Sequence, residues 1–155
     1  MARDYVLFTA SAWPDVDFHI SSQRVSVSVA EPVTARARRR LEIISKLKRN
    51  WDSYGANPTS REALKRTDAL LRRLEEHPHI GTLSSEAAPF AVAPTPAGGI
   101  QLEWRLRGAV LELEIDANGR AGLLWDRPTE AERFNEEEGV SDVGILRALE
   151  NFLGW

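Results

Sequence analysis

Between Gly98 and Asp116 the side chains alternate in a way that suits an extended chain and little else. Ile100, Leu102, Trp104 and Leu106 fall on one side, and Gln101, Glu103, Arg105 and Arg107 on the other. After Gly108 the alternation resumes, with Leu111, Leu113 and Ile115 set against Glu112, Glu114 and Asp116. Period two sustained over this length specifies antiparallel strands with one face buried and one wet. A one-sided sheet needs a second layer over its apolar face, which constrains the rest of the chain.

Two turns set the register of that sheet. If Gly108-Ala109 forms the first turn, with glycine leading as a type II′ turn requires, Arg105 faces Glu112 and Trp104 faces Leu113. That pairing joins apolar to apolar and gains an opposite-charge pair, so it is the expected one. A turn at Arg107-Gly108 keeps the faces but loses the Arg105–Glu112 pair. The second turn centres on Asn118-Gly119, a strong hairpin signal. As a two-residue turn it pairs Leu113 with Leu124, which sends Leu123 and Trp125 to the polar face beside Val110. Either a bulge flips that strand back, or the outer face carries an apolar patch that a helix or a partner must cover.

The covering layer is legible in residues 33–77. Leu41, Ile44, Leu47 and Trp51 recur at helical spacing, and Pro58 ends that run. Thr59 and Glu62 have the spacing of a capping box, and the helix they open buries Leu64, Thr67, Leu70, Leu71 and Leu74 before Pro78 stops it. Residues 1–32 read as strands and turns, with Val25, Val27 and Val29 alternating with serines. Residues 89–126 form the antiparallel meander, and residues 127–140 an acidic, mobile connector. From 141 to 155 a short helix capped by Ser141 buries Ile145, Leu146, Leu149 and Phe152. The expected fold is α+β in one domain: a twisted antiparallel sheet of about four to six strands, packed on a helical hairpin, with a short C-terminal helix.

Composition narrows the function. There is no cysteine, so disulfides and thiolate metal sites are excluded. No apolar run reaches the roughly 18 residues of a membrane span, and the N-terminus lacks a signal-peptide layout, so a cytoplasmic protein is expected. The net charge of −3 hides a segregation. Residues 35–75 hold 12 Lys/Arg against 5 Asp/Glu, a local +7, so the remainder carries −10.

Little in the chain looks catalytic. His77 and His79 flank Pro78 at a helix end, where histidine is favoured electrostatically, and no third ligand stands nearby. In the expected register Glu103 and Glu114 are opposite each other and would share a divalent cation, but a solvated sheet face explains them as well. Asp52 suits a turn-capping role better than acid–base work with Tyr54. No cofactor is expected.

Two stretches carry a resemblance. Asn50-Trp-Asp-Ser-Tyr-Gly-Ala-x-Pro58 and Pro94-Thr-Pro-x-Gly-Gly-Ile-x-Leu-Glu-Trp104 resemble the W-D-x-Y-G-A and G-G-I-x-L-E-W motifs of a family of small bacterial and phage-associated proteins. The likeness covers about residues 40 to 125. It implies no activity and no catalytic residues, only that loop and strand form one unit, with Trp51 or Tyr54 near Trp104.

The expectation for function is a non-catalytic protein-binding module, of the antitoxin, immunity-protein or chaperone-like kind. It would occlude a partner, a basic one by charge, through Val110, Leu123, Trp125, Glu136, Glu137, Glu138 and Trp155. The same uncovered face would also serve a homodimer. A nucleic-acid reading rests on Arg36, Arg39, Lys46, Arg49 and Lys65 of the helical hairpin, and a metal-dependent hydrolase on Glu103 and Glu114.

Overall fold

In the computed structural model, residues 32–80, 87–128 and 134–154 are described. The strand expected around residues 25–29 and Trp155 lie outside them. Five strands form one antiparallel meander in the order β1 (Ala91–Pro94), β2 (Ile100–Leu106), β3 (Ala109–Ile115), β4 (Ala121–Asp126) and β5 (Phe134–Glu138). Helices α1 (Ala35–Ile44), α2 (Arg61–Glu76) and α3 (Asp142–Leu153) supply the second layer. The architecture is α+β, with the sheet's apolar face turned to the helices.

The core forms where helical and period-two patterns meet. Ile44 of α1, Leu70, Leu71 and Leu74 of α2, and Ile145 and Leu149 of α3 join the inward residues of the sheet in one buried cluster. Trp104 is buried at its centre, and its indole N–H donates to the Ala87 carbonyl at 3.1 Å. A buried indole nitrogen needs such a partner.

The first hairpin takes the Arg107-Gly108 turn, which corrects the expected register. Both residues are left-handed, at φ +51° and +85°, as a type I′ turn demands. Trp104 therefore faces Leu111, Leu102 faces Leu113, and Ile100 faces Ile115. The gain is a full set of apolar pairs: the expected register would have left Ile100 against Ala117. Those pairs outweigh one exposed Arg–Glu contact, worth a few tenths of a kcal/mol.

The second hairpin resolves the fate of Leu123 and Trp125. Its loop has three residues, not two. The Asp116 N–H donates to the Arg120 carbonyl at 2.8 Å, and Gly119 sits at φ +78°. The Asp116 carboxylate accepts the N–H groups of Asn118 and Arg120, so the backbone freed by the bulge is satisfied. The extra residue shifts β4 by one, and Leu123 faces Leu113 while Trp125 faces Leu111. Burying two large apolar side chains, at about 1.5–3 kcal/mol each, favours this bulge. The apolar patch of Leu123 and Trp125 on the outer face does not exist.

Three further expectations shift. Helix α1 ends at Ile44, not near Trp51, because Lys46 and Leu47 close into tighter i→i−3 turns and Asn50 is left-handed at φ +65°. The N-cap of α2 is Ser60, whose hydroxyl accepts the Ala63 N–H; Thr59 is not the cap. Within the expected connector, Phe134–Glu138 is a strand paired with β4. Its charge masked it: all five residues are exposed, as an edge strand allows. The cap at Ser141 falls where the sequence put it, accepting the Gly144 N–H.

Arg66 ties the layers together. Its guanidinium donates to the carbonyls of Gly119 and Val140 and to the Asp142 carboxylate, joining the β3–β4 loop, the end of β5 and the start of α3.

Candidate functional site

Opposed residues of an antiparallel ladder share a face, so the registers define the sheet's outer surface row by row. One row runs Glu103, Glu112, Leu124, Glu136. Beside it run Gln101, Glu114, Gly122, Glu138, and on the other flank Arg105, Val110, Asp126, Phe134. Six carboxylates thus stand on one face with one arginine among them. None of these residues is buried, and Phe134 is 61% exposed. Val110 and Phe134 share one row with Asp126 between them, and Leu124 lies in the next row beside it, so the three make a small apolar cluster around Asp126. Over Gly122, which has no side chain to fill it, opens a depression of about 300 Å³ edged by Glu112, Glu114, Glu136 and Glu138.

Local contacts hold the like charges in place. Glu103 lies directly opposite Glu112, an arrangement that destabilises a sheet. Arg105 pairs with Glu103, and the Gln101 amide donates to Glu112 at 2.8 Å. Arg105 also lies over the ring of Phe90, 4.7 Å from its centroid. On the far side of the row, Glu114, Glu136 and Glu138 have no ion pair among the described residues.

The expected partner-binding residues separate. Val110, Glu136 and Glu138 lie on the outer face as a set. Leu123 is buried at 2% exposure, and Trp125 packs edge-on against Phe152 with the Arg127 guanidinium 4.4 Å from its ring, so both belong to the inner face. Glu137 opposes Leu123 and shares that inner side, on the sheet's exposed border. Leu124 and Asp126 were missed because the one-residue slip in the second turn exchanges the faces of β4, and Phe134 because β5 was read as connector, while Glu112 was already on the outer face. The metal reading loses its geometry: Glu114 faces Gln101, not Glu103. Among the described residues no three His, Cys, Asp or Glu side chains converge on a common point that could hold a metal ion.

The connector between α1 and α2 is a second ordered feature. The Asn50 N–H donates to the Ala56 carbonyl at 2.7 Å, and the Asn50 side chain accepts the Gly55 N–H. The Asp52 carboxylate accepts the N–H groups of Tyr54 and Ala56, which hold it below the usual carboxylate range. Asp52 is therefore a turn-former. The loop is bonded to the turn before β2, through the Asn57 N–H on Pro96 and the Ser60 N–H on Gly98. Trp51 donates to the Asn57 carbonyl, while Tyr54 is 93% exposed.

The basic residues of the hairpin also divide. Arg38 pairs with Asp68 and Glu75, Arg72 with Asp68, and Arg66 and Arg73 with Asp142. Of the expected nucleic-acid set, Lys46, Arg49 and Lys65 lie at the connector end, whereas Arg36 and Arg39 lie in the first turns of α1. His77 faces Glu150 of α3 at 3.4 Å and stacks at a tilt on His79. None of the helices is long and apolar enough to cross a membrane among the described residues. No protein-family model, curated protein or solved structure matches the chain.

Proposed function

We propose that the outer face of the sheet binds a basic protein, which makes this chain a non-catalytic binding module of the antitoxin, immunity-protein or accessory-chaperone kind. The observation that carries this reading is a sheet face with six carboxylates and a small apolar cluster, on which none of the outward residues is buried among the described residues. The helices lie on the opposite side. Like charges gathered on one face cost stability, and a cationic surface laid over them would recover that cost. The apolar cluster of Val110, Leu124 and Phe134 supplies the dry patch that an interface needs, and the carboxylates supply the polar rim and the steering field.

The test is capture of partners from the native host with the wild-type chain and with Glu112→Lys/Glu136→Lys. A stoichiometric basic protein that binds wild type and is lost from the double variant is the expected result. Its association should also slow steeply with salt. The reading fails if the partner profile is the same for both chains while both stay folded. A second copy of this chain as the sole partner would replace it with a homodimer.

A further inference from the structure

The connector end of the helical hairpin joins two observations that the acidic face does not use. The first is the loop. Asn50, Ser53 and Gly55 are all left-handed, at φ +65°, +67° and +96°. Such conformations in non-glycine residues persist only where surrounding bonds over-determine them, and they gather at functional positions. Here five N–H bonds within the loop do so, three of them to the side chains of Asn50 and Asp52. What this rigid loop displays is Tyr54, almost wholly in solvent. A tyrosine left there contributes nothing to the core.

The second observation is charge. Along the hairpin, Arg38, Arg66, Arg72 and Arg73 are neutralised by Asp68, Glu75 and Asp142. At the connector end Lys48, Arg49, Arg61 and Lys65 are exposed and make no ion pair among the described residues. Lys46 pairs only with Glu42, and both side chains are about 70% exposed. Arg61 and Lys65 border a groove of about 390 Å³ between the helices, floored by Leu41 and Leu64. Of the acids nearby, Asp52 is spent on its own loop, and Glu42 and Glu62 are outnumbered.

We propose that this end of the hairpin binds single-stranded nucleic acid, with Tyr54 stacking on a base while Lys48, Arg49, Arg61 and Lys65 hold backbone phosphates. An exposed aromatic among free cations on a fixed loop is the combination that sequence-tolerant single-strand binding uses. A protein partner would also accept a tyrosine anchor, but four exposed cations without ion pairs around the same connector suit a phosphate backbone better.

The test is fluorescence anisotropy with labelled oligothymidylate and oligouridylate of about 12 nucleotides, from low to moderate salt. Binding should weaken as salt rises, by about 0.7 in log–log slope for each phosphate contact. Tyr54→Ala should weaken binding roughly 5- to 150-fold at fixed salt with the slope unchanged, and Tyr54→Phe should restore it. Lys48→Gln/Arg49→Gln should lower the slope by about 1.4. Tyr54 is exposed, so these variants should melt as wild type does. No binding of either strand at low salt overturns the proposal. Equal binding by wild type and Tyr54→Ala, or tighter binding of a duplex of the same length, overturns it as well.

Discussion

Thr67 lies in the middle of α2 with its side chain wholly buried and its hydroxyl without a hydrogen-bond partner among the described residues. A buried hydroxyl left unpaired costs about 1–3 kcal/mol, and valine fills nearly the same space. Thr67→Val should therefore stabilise by about 1 kcal/mol, raising Tm by about 2–4 °C in a thermal melt. An unchanged or lower Tm would mean that the hydroxyl bonds to the helix backbone after all. Glu75 poses the opposite case. Burial pushes its carboxyl up, but the Arg38 guanidinium and the Thr34 hydroxyl outweigh burial and hold it below the usual glutamate range. A folded pKa below the unfolded one stabilises fully above the ordinary value of about 4.3 and is lost as pH falls through the folded value. In urea melts, the advantage of wild type over Glu75→Gln should be constant above about pH 5 and shrink below pH 4. Arg38 is raised by the same contact with Glu75, so both shifts favour the charged pair.

The elements were legible to different depths, and the reasons are physical. Period-two and helical spacing located the paired helices, the three central strands and α3, because burial of one face is written directly into residue type. The ladder register was not, because it rests on turn geometry: Arg107 accepts a left-handed φ, and Asp116 satisfies a bulge, for reasons visible only in three dimensions. Since the face of every residue follows from that register, the site shifted with it. Strand β5 was hidden because glutamates are poor strand formers, and only pairing with β4 makes Phe134–Glu138 extended. The loop-to-turn union tightens at Gly99. A Cβ there would lie 2.6 Å from the Ile115 carbonyl oxygen and 2.9 Å from the Thr95 hydroxyl. Backbone cannot yield cheaply, so Gly99→Ala should destabilise by about 1–3 kcal/mol in denaturant titration. A neutral result would show that the turn before β2 can move independently of β3.

As a whole the molecule is polarised: a cationic end on the helical layer and an anionic sheet face on the other side. The two proposals place different ligands on these two surfaces, so charge reversal on one should leave the other's binding intact. The polarity also bears on how the sheet ends. At β1 the outward-pointing backbone is closed by structure, since Pro94 has no N–H to offer and Arg40 donates to the Val92 carbonyl at 3.3 Å. At β5, the last strand among the described residues, the guard is Glu136, Glu137 and Glu138 alone. One border is locked by geometry and the other by charge. Removing that charge, as Glu136→Gln/Glu137→Gln/Glu138→Gln does, leaves a strand that can template another chain, so the triple variant should gel or form fibrils at concentrations where wild type stays clear.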